Sequence, residues 1–75
     1  MVRIINGIKY DTETSNLLYF DEAKGRSYYA TSHSRYFITF ANGEMQETTI
    51  EAMKALLGKY DPDKYVEVFG EPTEG

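Results

Sequence analysis

Residues 35–45 (RYFITFANGEM), in the middle of the chain, begin with a run of apolar and β-branched side chains followed by an Asn-Gly pair, and this pattern predicts a strand and then a tight turn. Tyr36 and Ile38 would share one face of the strand. Phe37 and Thr39 would share the other. Because both faces carry apolar or β-branched side chains, we expect a central strand with neighbours on each side and a packed layer across at least one face.

Short apolar segments separated by turn residues surround this strand. Further strands are predicted at residues 2–5, 8–10, 17–21, 26–32 and 44–48. The Asn-Gly pairs at residues 6–7 and 42–43 predict tight hairpin turns, since both central residues of a type I′ turn adopt positive φ. A two-residue turn at the second pair would place Met45 opposite Phe40. The expected sheet is an antiparallel meander of five to six strands.

The spacing of apolar residues changes to a helical period after residue 48. One stripe contains positions 50, 53, 57 and 60, broadened by 56, and predicts a helix that covers the sheet. Thr48 or Thr49 can cap the start of this helix. Gly58 is either a terminator or an interior glycine, and we favour an end near Gly58.

A second helix is predicted where Asp61 precedes Pro62, with the aspartate as N-cap and the proline at the first helical position. Gly70 would end this helix. The predicted fold class is therefore α+β, an antiparallel meander with one or two C-terminal helices packed on one face. Residues 1–70 would form a single compact domain, and residues 71–75 a disordered acidic tail.

The composition indicates a small protein with no covalent cross-links. Its 75 residues allow one domain, and the absence of cysteine excludes disulfides and thiolate metal sites. No apolar stretch approaches the roughly 20 residues that a membrane-spanning helix needs, and no secretory signal pattern occurs near the start. We therefore expect a soluble protein in the cytoplasm of a bacterial host, without membrane association.

The net charge of −4 is unevenly distributed. Residues 1–43 carry five basic and four acidic side chains, whereas residues 44–75 carry three basic and eight acidic ones. An acidic face disfavours nucleic acid and anionic membranes, and it suits either simple solubility or a protein partner with a basic surface. The candidate partner-binding acids are Glu44, Glu47, Glu51, Asp61, Asp63 and Glu67.

No pattern of reactive side chains indicates catalysis. The single histidine, His33, lies between Ser32 and Ser34, but neighbouring residues of an extended chain point to opposite sides, which does not suit a catalytic triad. Phosphate-binding, dinucleotide-binding and metalloprotease motifs are missing, and so is the alternation of oxygen ligands in a calcium loop. We expect no enzymatic activity, no cofactor and no metal site.

Seven tyrosines and four phenylalanines are many for so short a chain, and they suggest an alternative site. Aromatic side chains interspersed with basic ones can stack on the bases of single-stranded nucleic acid, and they are also enriched among protein-binding hot spots. Cross-strand packing is the simpler interpretation. The alternative set comprises Tyr28, Tyr29, Tyr36, Arg26 and Arg35.

Three segments carry a resemblance to a protein group. Residues 4–14 (IINGIKYDTET) resemble the start of small, mostly uncharacterised proteins of phages, plasmids and conjugative elements of Gram-positive bacteria, with the pattern Ile-Ile-x-Gly-Lys-x-Tyr-Asp-Thr-Glu-Thr-Ala. Residues 35–38 and 63–71 match further parts of that group. Ser15 replaces the alanine of the pattern, and the chain is shorter between Tyr10 and Tyr28.

This resemblance implies a genomic setting and not an activity. Small acidic proteins of mobile elements often block host nucleases by occupying basic channels. The leading hypothesis is therefore a non-catalytic protein–protein interaction module, an inhibitor of a CRISPR or restriction effector that acts through an acidic face. The alternatives are a sheet-based binder of single-stranded nucleic acid and a dimeric structural or regulatory protein that pairs through an open sheet edge.

Overall fold

The computed structural model describes residues 1–75 and contains six antiparallel strands followed by two helices. This confirms the predicted α+β class. The strands form two separate sheets, one of two strands in the order β1-β2 and one of four in the order β3-β4-β5-β6. The elements are β1 (Val2–Ile5), β2 (Ile8–Asp11), β3 (Asn16–Asp21), β4 (Arg26–Ala30), β5 (Tyr36–Thr39), β6 (Met45–Thr48), α1 (Ile50–Tyr60) and α2 (Pro62–Phe69).

Strand β5 has the central position that its pattern predicts. It pairs with β4 on one side and with β6 on the other. Tyr36 joins the core beneath the helices, together with Tyr28 of β4, Leu18 of β3, and Met53 and Leu57 of α1. Phe37 is fully buried on the opposite face, where its ring lies 5.2 Å from that of Tyr10 in β2. The four-stranded sheet thus lies between the helices and the β1-β2 hairpin.

The first hairpin turn follows the prediction. Ile5 pairs with Ile8, which leaves a two-residue loop. Asn6 and Gly7 occupy that loop with φ values of 53° and 75°. Positive φ at both positions is the signature of a type I′ turn, whose twist matches that of the flanking strands.

The second Asn-Gly pair forms a longer loop than predicted. Thr39, and not Phe40, lies opposite Met45. The predicted two-residue turn was therefore wrong, because the loop contains one more residue. Residues 41–43 form a three-residue loop that ends with Gly43 at φ 87°. The Asn42 side chain accepts a hydrogen bond from the backbone N–H of Glu44 at 3.0 Å. This extra residue in the loop turns every side chain of β6 to the face opposite the expected one.

A β-bulge interrupts the edge strand β3. Leu17 pairs with Tyr29, but the next pair joins Tyr19 to Tyr28, so Leu18 is an extra residue. The bulge lets Leu18 enter the core below the helices while Tyr19 stays on the same side, where it stacks on Tyr60 at 5.9 Å.

Helix α1 starts as expected and ends later than predicted. The Thr49 hydroxyl caps it by accepting a hydrogen bond from the backbone N–H of Ala52 at 3.1 Å. An end near Gly58 was wrong, because the helix continues to Tyr60. Asp61 ends it, with its backbone N–H donating to the Leu57 carbonyl at 2.8 Å.

Asp61 also starts α2, as predicted. Its carboxylate accepts a hydrogen bond from the backbone N–H of Lys64 at 3.2 Å, and Pro62 is the first helical residue. Gly70 ends α2 with φ 89°. Residues 71–75 are exposed and have no regular secondary structure. The two helices are therefore joined by a single residue that caps both.

Candidate functional site

Three of the six candidate acids lie together on one surface of α2. Asp61, Asp63 and Glu67 line a shallow depression with Lys64, and we call these four residues the α2 acidic surface. Asp63 and Glu67 are exposed. Lys64 forms an ion pair with Glu67, with 2.7 Å between Nζ and Oε2. Three carboxylates around one ammonium group leave the surface with a net negative charge.

Glu47 lies on the other face of the sheet and binds the β1-β2 hairpin. It pairs with Phe37 across β5 and β6, so its side chain points away from the helices. Its carboxylate accepts a hydrogen bond from the side-chain amide of Asn6 at 2.8 Å and another from the Tyr10 hydroxyl. Tyr10 is only 2% exposed. Glu47 is therefore occupied by contacts within the protein.

These contacts change the titration of both groups. The hydrogen bond from Tyr10 holds the pKa of Glu47 below its ordinary value, and the Asn6 amide and the charge of Arg35 act in the same direction. Burial raises the pKa of Tyr10 above its ordinary value, and the carboxylate of Glu47 adds to that effect. The favoured state is thus a charged carboxylate bound by a neutral phenol.

The remaining two acids are separate from the α2 acidic surface. Glu44 is exposed at the start of β6, next to a loop where the Arg3 guanidinium donates to the Gly43 carbonyl at 3.1 Å. Glu51 is exposed in the first turn of α1, where a carboxylate favours the helix dipole. The structure therefore divides the acidic set among four places on the molecule.

The alternative aromatic and basic residues do not form one platform. Tyr28 and Tyr36 are each 8% exposed and belong to the core beneath the helices. Tyr29 lies on the other face and stacks on Phe37 with 5.0 Å between ring centroids. The Arg26 guanidinium lies 5.3 Å from the Phe40 ring, and Arg35 is exposed in the loop before β5. In this conformation two of the three tyrosines are closed to a ligand.

His33 lies in the loop between β4 and β5 and is exposed. It lines a polar depression together with Ser32 and Asp11, but no hydrogen bond joins its ring to either group. No group of three or more histidine, aspartate or glutamate side chains is arranged to hold a metal ion. Every helix is too short and too polar to cross a lipid bilayer.

A small apolar groove lies between the end of α1 and the start of α2. It has a volume of about 250 Å³ and is lined by Gly58, Pro62, Tyr65, Val66 and Pro72. The sequence analysis did not identify this groove, because its lining comes from two helices and the C-terminal segment. The one local signal was Gly58, a glycine inside an otherwise regular helix.

Comparisons with known proteins found no relative of this chain: no protein-family model, no curated protein and no solved structure matches it.

Proposed function

We propose that this protein is a non-catalytic protein–protein interaction module whose α2 acidic surface binds a basic surface of its partner. The observation that carries this proposal is the grouping of Asp61, Asp63 and Glu67 on one open surface. Residues 50–75, which contain both helices, carry six acidic and three basic side chains. The electrostatic potential around the α2 acidic surface is therefore also negative. Such a field attracts a basic partner and speeds its association.

The partner class that we propose is a bacterial defence nuclease of the CRISPR or restriction type. The resemblance of residues 4–14 to proteins of mobile elements supports this choice. Nucleases of this class bind phosphates with lysine and arginine. Carboxylates held on a rigid helix can compete with phosphates for those cations, so that inhibition would need no chemistry.

The structure also decides which acids suit a charge-reversal test. Asp63 and Glu67 are exposed and cap no helix, and replacing them by lysine loses only one exposed ion pair, to Lys64, and one favourable first-turn charge, each a small contribution to stability. Glu47 is unsuitable, because its reversal would break its bonds to Asn6 and Tyr10. Asp61 caps α2, and Asp61→Asn preserves that cap while removing the charge.

The test is affinity capture from a bacterial lysate that contains defined defence effectors, performed at low and moderate salt and followed by a cleavage assay on the purified effector. The double variant Asp63→Lys/Glu67→Lys should lose most of both capture and inhibition, and the wild-type interaction should weaken as salt increases. The matched control is Glu13→Lys/Glu22→Lys, with the same charge change at exposed acids of the strand half.

The control variant should behave like the wild type. If both double variants lose binding equally, total charge and not the α2 acidic surface governs the interaction. Unchanged capture and inhibition in Asp63→Lys/Glu67→Lys would refute the proposal, as would an effector that is inhibited equally at all salt concentrations.

A further inference from the structure

The groove between α1 and α2 is the most apolar concavity of the molecule that opens to solvent. The side chains of Pro62, Tyr65 and Val66 form one wall on α2, Gly58 lies at the facing position of α1, and Pro72 closes one end. Its volume of about 250 Å³ is below the roughly 300–1,000 Å³ of typical small-molecule pockets. It is large enough for one apolar side chain of a protein.

Gly58 keeps this groove open at a cost to its own helix. It lies inside α1, three residues after Ala55 and two before the last helical residue. A methyl group at this position would meet only the Tyr65 ring, at 3.9 Å, which is an ordinary contact. Alanine would therefore fit and would favour the helix by up to about 1 kcal/mol. Any longer side chain would fill the groove.

The charged residues next to the groove lining in sequence are mostly acidic. Asp63 follows Pro62 on α2 and is exposed. Glu71 and Glu74 flank Pro72 in the C-terminal segment and are also exposed. Two basic side chains also neighbour the lining in sequence: the Lys59 ammonium group lies over the Tyr60 ring at 5.2 Å, and Lys64 is paired with Glu67. An apolar groove with mostly acidic neighbours is complementary to an apolar side chain flanked by basic residues.

We propose that this groove binds one apolar anchor side chain from a basic segment of the partner protein. This inference rests on the proposed function and deepens it: the α2 acidic surface attracts the basic segment, and the groove fixes its position. An apolar centre surrounded by a polar rim is the usual arrangement of a protein–protein interface. Asp63 directly follows the lining residue Pro62 in α2, so one partner segment can contact both features.

The direct test uses a 12-residue peptide of lysine and glycine with one central leucine as the probe, titrated into ¹⁵N-labelled full-length protein. The backbone amides of Gly58, Tyr65 and Val66 should show the largest chemical-shift changes. Replacement of the central leucine by alanine should weaken binding about tenfold, because most of the buried apolar area is lost. Replacement of the lysines by glutamates should abolish binding.

Two variants separate the groove from the surface charge. Gly58→Leu fills the groove without changing any charge, and Ala55→Leu adds the same side chain to an exposed position of α1 outside the groove. Gly58→Leu should bind the leucine peptide about tenfold more weakly than the wild type, whereas Ala55→Leu should bind it unchanged. Circular dichroism establishes that both variants are folded.

Several outcomes would overturn the inference. Equal affinity for the leucine and alanine peptides, or shift changes away from the groove, would show that no anchor is bound there. A dimer in sedimentation that Gly58→Leu dissociates would assign the groove to a second copy of the chain.

If Asp63→Lys/Glu67→Lys abolishes effector capture while Gly58→Leu captures normally, the groove proposal fails and the proposed function stands. If neither variant affects capture, both fail.

Discussion

Glu47 shows how one residue connects separate parts of this protein. Its carboxylate receives hydrogen bonds from Asn6 in the turn of the first hairpin and from Tyr10 in β2. Hydrogen bonds to a charged acceptor are stronger than neutral ones, and the Tyr10 ring also packs on Phe37. An acid that the sequence presents as one of eight in an acidic region is thus a structural link.

The lowered pKa of Glu47 predicts how stability depends on pH. Because the folded protein holds this carboxylate in its charged form, the stabilisation is complete above the ordinary pKa of 4.5 and is lost as the pH falls through the lowered value. In Glu47→Gln this contribution is missing at every pH. Urea unfolding between pH 7 and pH 2 should therefore show a difference in unfolding free energy that shrinks as the pH falls below 4.5.

Glu13→Gln is the matched control, since Glu13 is exposed and its side chain makes no hydrogen bond. Its stability should follow the wild-type curve throughout the titration. A constant difference between Glu47→Gln and the wild type across the whole pH range would contradict the assigned role of the charged carboxylate.

Glycines have opposite roles in the helix α1 and in the loop between β3 and β4. Gly58 has a helical backbone that any residue can adopt, and the sequence-based expectation of a helix end rested on the frequency of glycine at helix C-termini. Gly25 has φ 65°, and a Cβ there would lie 2.9 Å from the Cβ of Ala41. Glycine is therefore replaceable at position 58 in α1 and required at position 25 in the β3–β4 loop.

This contrast predicts alanine substitutions of opposite sign. Gly58→Ala should raise the free energy of unfolding by about 0.4–1 kcal/mol, since it removes conformational freedom from the unfolded chain. Gly25→Ala should lower it by more than about 1 kcal/mol, because of the positive φ and the contact with Ala41. Urea denaturation of both variants measures the two effects. Destabilisation by Gly58→Ala would contradict the helical assignment at that position.

At the scale of the whole molecule, the two sheets are held together by side chains only. No backbone hydrogen bond joins the β1-β2 hairpin to the four-stranded sheet. The links are the tilted packing of the Tyr10 ring against Phe37, the hydrogen bonds from Asn6 and Tyr10 to Glu47, and the bond from Arg3 to the Gly43 carbonyl. Such a layer can open at a lower free energy than the sheet that it covers.

Hydrogen exchange should reveal this difference. Amides of β1 and β2 should exchange faster than those of β4 and β5, and Tyr10→Phe should accelerate β1 and β2 by about tenfold while leaving β4 and β5 nearly unchanged. The expected factor corresponds to the loss of one hydrogen bond to a charged acceptor. Tyr60→Phe is the control, because Tyr60 is exposed and its hydroxyl has no partner. Uniform exchange across both sheets would contradict a separable hairpin.

The sequence by itself determined the features that depend on neighbouring residues. Local backbone preferences and side-chain periodicity account for the type I′ turn at residues 6–7, the caps Thr49 and Asp61, and the central strand with two apolar faces. Because these preferences act within a few residues, they predicted five to six strands, one or two helices and the α+β class without reference to distant contacts, and the structure has six strands and two helices.

The tertiary structure alone decided the features that depend on packing between elements. One additional residue in the loop of residues 41–43 turned Glu47 toward the hairpin, and one bulge at Leu18 brought two neighbouring residues to the same face. Packing between elements also decided the division into two sheets, the separation of the acids and the formation of the apolar groove. Charge and hydrophobicity are properties of each residue, but the set of residues that share one surface depends on the strand registers. Those registers depend on how the core packs.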